Sequence, residues 1–237
     1  SSMLATSMKR DGVDIRFGVK INGIKGYSND LKVDLGDQKN IDCGAVLLAT
    51  GRKPFLDELN LRKAGVEIDN HRIKVNQFNM TTSPRIYALG DVTDRVNLTP
   101  VAIEEGRVFA DRVYGNKQRS VHYNFVPKAV FSQPEIASIG LSEEEAIRMH
   151  GSEKIQIHRS KFRPMSQALA KSDKQCLLKL VIEKATRKVI GCHMAGENSA
   201  EIIQMASIAI SMGAKKSDFD KTMALHPTIA EEFVTMS

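Results

Sequence analysis

Between residues 155 and 213 the chain runs through three alternating apolar segments and then switches to a helical period, and that order constrains its fold most. Ile155-Gln156-Ile157-His158 alternates, as do Cys176-Leu177-Leu178-Lys179-Leu180-Val181-Ile182 and Val189-Ile190-Gly191-Cys192-His193-Met194. Lys184 to Lys188 reads as the hairpin connection between the last two runs. Ser199 to Met212 has amphipathic spacing, rich in Ala, Ile and Met, and Gly213 is placed to stop it. Upstream, Val126 to Phe131 and Ala137 to Gly140 are strand-like. Ser142 with Glu145 predicts a capping box, because hydroxyl and carboxylate can each satisfy a backbone N–H left unpaired at a helix start. Strands in series followed by helices predict an α+β domain, not the continuation of a parallel sheet.

The first half has another character. Val13-Asp14-Ile15-Arg16-Phe17 and Leu31-Lys32-Val33-Asp34-Leu35 alternate, the second before a Gly36-Asp37 turn. Ala45-Val46-Leu47-Leu48-Ala49 is a continuous apolar run, as expected of a strand covered on both faces in a parallel sheet. It leads into Thr50-Gly51-Arg52-Lys53-Pro54, a glycine turn at a strand's carboxyl end, where open α/β sheets place ligands; on this segment alone a plain strand-to-loop exit is the favoured reading. Further on, Ile73-Lys74-Val75 and Ile86-Tyr87-Ala88-Leu89 predict strands, the second ending in Gly90-Asp91. Pro100 to Tyr114 has helical periodicity through Val101, Ala102, Glu105, Val108, Phe109 and Arg112, with Thr99 as the expected N-cap.

A chain of 237 residues has room for one large domain or two smaller ones, and its 42% hydrophobic and 26% charged residues are those of an ordinary globular protein. No apolar run approaches transmembrane length, and Ser1 to Arg10 lacks a signal-peptide layout, so no membrane association is expected. Cys43, Cys176 and Cys192 are distant and odd in number; they predict neither a disulfide framework nor a zinc site, and suit a reducing, cytoplasmic setting. The formal net charge of +6 suits an anionic small substrate or a nucleotide phosphate. Basic and acidic residues are mixed throughout, so nucleic-acid binding is not expected.

The chemistry concentrates in Leu225-His226-Pro227-Thr228-Ile229-Ala230-Glu231-Glu232. Imidazole is the side chain whose ordinary pKa lies near working pH, so His226 can both take and give a proton. A carboxylate reaching one ring nitrogen fixes the tautomer and stabilises the imidazolium, which Glu231 is spaced to do. Pro227 favours an extended His226 and suits the first turn of a helix expected over Thr228 to Met236. A surface histidine ahead of a helix with acids in its first turn is the plainer reading of the same residues.

The string from His226 to Met236 resembles the C-terminal signature of the flavin-dependent disulfide reductases, the class I pyridine nucleotide-disulfide oxidoreductases. Its Glu-Glu-Phe-Val-Thr-Met ending is similar to the glutathione reductases within that family. Ala49-Thr50-Gly51-Arg52-Lys53-Pro54, Ile86 to Val92 and Asn97-Leu98-Thr99-Pro100-Val101-Ala102 also match it, in order. So do Val130 to Gly140, the Phe162-Arg163-Pro164-Met165 loop and the Gly196 to Gln204 segment. The resemblance implies an α/β plus α+β architecture. Residues 1–55 would be the tail of a doubly wound NADPH domain, 56–120 a central FAD-contacting segment, and 121–237 a dimerisation, or interface, domain. It implies FAD and NADPH as cofactors, a homodimer formed through residues 121–237, and glutathione disulfide as substrate.

The resemblance also implies roles residue by residue. His226 would protonate the departing glutathione thiolate across the dimer, with Glu231 holding the ring; His226 would lie by the partner's flavin. Arg107, Met165 and Glu232 would bind substrate, and Gly51, Arg52, Gly90, Asp91, Leu98, Thr99 and Val130 would line the cofactors. Asp91 would accept from a flavin ribityl hydroxyl, for which a carboxylate at a strand end is suited, and the helix after Thr99 would point its N-terminus at the flavin. Gly-Asp more often simply caps a turn, and Arg107 read alone is a solvated helix arginine. The GxGxxG fingerprint, the paired arginines that read an NADP 2′-phosphate and a redox Cys pair are not in this sequence. The chain is therefore expected to be a C-terminal half, inactive alone. Ser237 stands where an arginine is usual, which puts substrate affinity in question, and Leu225 where a smaller or β-branched residue is usual. Dihydrolipoamide or trypanothione reduction, or a non-catalytic dimerisation module, are the alternatives.

Overall fold

The computed structural model describes residues 2–36 and 40–236. Two compact units emerge: one of residues 14–121, the other of residues 1–13 with 122–237. Helix α1 (Ser2–Arg10), which the sequence pattern did not announce, opens the chain, and none of its residues is buried.

In the unit of residues 14–121, β1 (Gly23–Tyr27), β2 (Asp30–Asp34) and β3 (Asn40–Cys43) form an antiparallel meander. A two-stranded hairpin follows, β4 (Ile68–Asp69) with β5 (Arg72–Ile73). Its small core gathers Leu56, Val66, Ile73 and Ala88, with Val75, Ile86 and Val92 packed around them. A 3-10 turn over Gly90–Thr93 precedes helix α2 (Thr99–Val113).

Several expectations are corrected here. Neither residues 13–17 nor residues 45–49 form a strand. A parallel strand exists only by hydrogen bonding to neighbours; without them Leu47 stays 89% and Leu48 66% exposed. The strand expected over 86–89 reduces to one bridge, Tyr87 with Met80. Leu98, not Thr99, is the N-cap of α2, and no side chain caps it; Thr99 is already helical, with Pro100 behind it. Asp37, half of the expected turn, lies outside the described residues.

The other unit is built on a five-stranded antiparallel sheet of β6 (Lys128–Val130), β7 (Ile136–Gly140), β8 (Ile155–Phe162), β9 (Cys176–Glu183) and β10 (Val189–Ala195), in the order β6-β7-β10-β9-β8. Helix α3 (Glu143–His150) lies between β7 and β8, and its predicted capping box is present. Short α4 (Met165–Leu169) follows β8, and α5 (Ser199–Ser211), α6 (Lys216–Lys221) and α7 (Glu232–Thr235) close the chain.

Register explains the packing. His158 pairs with Leu180 and Leu180 with Cys192, so Leu178, Leu180, Ile182, Cys192 and Met194 share one face. That face receives Ile203 and Ile210 of α5, Phe219 of α6 and Phe233 and Met236 at the C-terminus. Each such side chain, fully buried, contributes about 1.5–3 kcal/mol. On the opposite face Val181 packs with Ala146 of α3 and Ile155. There Glu143 of α3 holds Arg159 of β8 and, at 3.2 Å, Lys179 of β9. Arg159 above all, then Lys179, holds the Glu143 carboxyl below its ordinary range. The helix expected over 228–236 is only α7, since the chain from 229 to 231 is bend and turn.

Candidate active site

His226 stands before a cis peptide to Pro227 in the irregular stretch ahead of α7. Its Nδ1 lies 3.1 Å from both carboxylate oxygens of Glu231. An ionised carboxylate can only accept, so Nδ1 carries the proton and donates, and Nε2 of the neutral ring is left as an acceptor. The imidazole is 73% exposed while the Glu231 carboxylate is only 15% exposed. Thr228 explains that asymmetry. Its backbone N–H donates to Glu231 Oε1 at 3.1 Å, and its hydroxyl accepts the Glu231 N–H at 3.2 Å. This is the reciprocal arrangement of a capping box, which pins the carboxylate before the imidazole uses it.

Glu232, the next residue, accepts at Oε2 from the Ser160 hydroxyl of β8 at 2.6 Å. Phe233 and Met236 anchor the same stretch in the core. His226, Glu231 and Glu232 are thus gathered on one rigidly seated turn. Met165 at the start of α4 and Val130 at the end of β6 are both exposed, and no bond joins either of them to that turn.

The other expected site residues lie in the unit of residues 14–121. Gly90 opens the 3-10 turn with φ +70°, and a Cβ there would meet the Ala102 Cβ at 3.0 Å. Only glycine brings the turn this close to α2. Asp91 follows with its side chain 43% exposed, and the Arg52 guanidinium approaches it at 3.8 Å. Gly51, at φ +102°, has open space where a side chain would be. Leu98 and Thr99 begin α2. Arg107 lies further along that helix, exposed, with Glu104 Oε2 4.0 Å away. Glu104 is itself taken by Arg119 at 2.5 Å, and Arg119 also holds Asp111 at 2.5 Å. Arg119, helped by Lys117, holds the Asp111 carboxyl below its ordinary range.

Three features escaped sequence reasoning. The Thr228–Glu231 pair had a visible signal, a threonine three residues before a glutamate. The Ser160–Glu232 bond spans strand and C-terminus and had none. Glu105, only 1% exposed, accepts the Gly90 N–H at 2.6 Å; its signal was an acid on the apolar face of α2. The cysteines are free, and burial pushes the Cys176 and Cys192 thiols up, so neither is primed as a thiolate. Among the described residues no group of His, Cys, Asp and Glu could hold a metal ion.

The family described as pyridine nucleotide-disulphide oxidoreductase matches residues 1–106, and its dimerisation domain matches residues 126–237. The chain belongs to the pyridine nucleotide-disulphide oxidoreductase family. It is 46% identical over 236 residues to a glutathione reductase of Burkholderia cepacia, covering 98% of this chain and 52% of that protein. Identity to a glutathione reductase of Nostoc sp. is 44%, over 91% of this chain and 50% of the relative. A chloroplastic/mitochondrial glutathione reductase of Pisum sativum is 40% identical over 88% of this chain and 37% of its own. The chain spans about half the length of the bacterial relatives it matches. Among solved structures, the HOCl-induced flavoprotein disulfide reductase RclA from Escherichia coli superposes with a TM-score of 0.86 at 24% identity, over 99% of this chain and 54% of that one. The α/β plus α+β fold class follows from these matches. Among the described residues, no helix is long and apolar enough to cross a membrane.

Proposed function

We propose that this chain is the C-terminal half of a homodimeric, cytoplasmic disulfide reductase that uses FAD and NADPH to reduce glutathione disulfide, with His226 as its acid/base. The observation that carries the reading is the His226–Glu231 pair: a carboxylate only 15% exposed and held by the Thr228 N–H orients a largely exposed imidazole. That geometry serves a substrate arriving from outside this unit, and it occurs in a chain 40–46% identical to glutathione reductases.

In this reading residues 1–55 end the NADPH domain, residues 56–120 contact FAD, and residues 121–237 form the interface between two copies. The flavin region fits the group: the backbone at Gly90 can be approached closely, and the half-exposed Asp91 carboxylate offers acceptors to ribityl hydroxyls. When bound, FAD supplies the two-electron chemistry that links NADPH to a disulfide. The start of α2 at Leu98 and Thr99 presents the positive end of a helix dipole to developing negative charge. Gly51 and Arg52 edge the same region, and Val130 would stand near the nicotinamide.

At the substrate, Arg107 would bind a glutathione carboxylate through its planar fork, with Met165 and Glu232 flanking. The thiol pair that exchanges with substrate is not among Cys43, Cys176 and Cys192, and in this reading it belongs to the part of the relatives that the chain does not cover. His226, protonated at Nε2, gives that proton to the departing glutathione thiolate while Glu231 stabilises the imidazolium. Ser237 lies outside the described residues, and its missing charge leaves Arg107 as the chief cation expected at the carboxylate. Steady-state reduction of glutathione disulfide by the full-length protein tests the reading. His226→Gln should lower turnover by at least about 100-fold, the usual size of a general-acid contribution, and turnover within severalfold of the parent would refute it.

A further inference from the structure

Glu105 is the one carboxylate among the buried polar residues of the described chain, and it sits on the same face of α2 as Val101 and Val108. Taking a carboxylate out of water is costly unless its oxygens receive good hydrogen bonds. Its Oε2 accepts the Gly90 N–H at 2.6 Å, a short bond. Gly90 is the first residue of the turn that carries Asp91, and its carbonyl is in turn bound by the Thr93 hydroxyl at 2.8 Å. One carboxylate therefore ties the turn bearing Asp91 to the helix that starts at Thr99. An alanine or leucine would satisfy the apolar face without the cost of burying charge, so packing alone does not account for an acid here.

We propose that Glu105 is a positioning residue for the flavin: it locks the Gly90–Asp91 turn against α2, so that the Asp91 carboxylate and the helix start meet the cofactor as one preset unit. The inference rests on the reading that Asp91 receives the flavin. It adds a residue that touches no cofactor and acts through Asp91.

The test is the FAD dissociation constant of the full-length apoprotein, measured by quenching of flavin fluorescence on reconstitution. Glu105→Gln keeps an acceptor oxygen in place and should bind FAD within about threefold of the parent. Glu105→Asp is one methylene too short to reach Gly90, and Glu105→Leu fills the apolar face without an acceptor. Each should weaken FAD by about tenfold or more, the cost of leaving a buried N–H without its acceptor. Asp91→Asn should weaken FAD as well, and adding Glu105→Leu to it should cost less than about threefold more, because the two act as one unit. A merely structural role would weaken FAD to the same degree whether or not Asp91 is intact. If Asp91→Asn leaves FAD affinity unchanged, the flavin reading falls and this inference with it. If Asp91→Asn weakens binding while both Glu105→Asp and Glu105→Leu do not, or if the effects simply add, the flavin reading stands and the role of Glu105 is overturned.

Discussion

Thr228 and Glu231 bond to each other twice, backbone N–H to carboxylate at 3.1 Å and backbone N–H to hydroxyl at 3.2 Å. The carboxylate that orients His226 is therefore already part of the local backbone structure. Thr228→Ala removes the hydroxyl half of the exchange and should cost about 1 kcal/mol of stability, as the loss of a helix cap does. In the full-length protein it should also lower turnover severalfold with the Michaelis constant nearly unchanged, since a loosened carboxylate holds the imidazole less well. Thermal unfolding and steady-state kinetics measure the two effects; an unaltered turnover would separate the cap from the chemistry.

Ser160 presents its hydroxyl to Glu232 at 2.6 Å. If Glu232 helps bind the disulfide, Ser160→Ala should raise the apparent Michaelis constant by about two- to fivefold and spare turnover, the pattern of lost uniform binding. A fall in turnover instead would mean that Glu232 takes part in the proton-transfer step.

Arg107 has Glu104 at 4.0 Å, and Glu104 is claimed more closely by Arg119. The guanidinium is thus left open to an external carboxylate. Arg107→Ala should raise the Michaelis constant for an anionic disulfide more than it lowers turnover. High salt should reduce the difference between variant and parent, because exposed charges are screened. An unchanged constant removes Arg107 from the substrate site.

Glu143 joins α3 to β8 and β9 through Arg159 and Lys179, and those cations hold its carboxyl below the ordinary glutamate value of 4.5. A carboxylate depressed in the fold contributes stability above its unfolded pKa and loses it as pH falls through its folded pKa. Glu143→Gln should therefore be about 1 kcal/mol less stable than the parent at pH 7, a modest figure because Arg159 is half exposed. The gap should narrow as pH drops below 4.5 and close at stronger acidity. Urea unfolding at several pH values measures it, and a gap that does not depend on pH would contradict the assignment.

How much of this was legible beforehand depended on how far each segment's partners lie along the chain. Strands β8, β9 and β10 pair with one another inside a span of some forty residues, and their alternation told the truth. The Ser142–Glu145 box is local, and its spacing alone announces it. The run from Ala45 to Ala49 has the composition of a doubly covered strand, but composition cannot supply the neighbours a parallel ladder needs. The C-terminal helix is shorter than its sequence pattern suggests because Thr228 and Glu231 hold the residues before it in a turn, an interaction that periodicity does not register. Glu105 fell on the inward face of α2 in the sequence pattern itself, yet a helical period cannot tell a buried acid serving a backbone N–H from a solvated one.

The bare leucines at 47 and 48 have a practical corollary. A short β-prone, uncharged stretch turned toward water offers itself to any other chain in the tube, and two copies can zip together there edge to edge. Preparations of this polypeptide by itself should cloud with rising concentration, and replacing Leu47 and Leu48 with lysine should keep them clear.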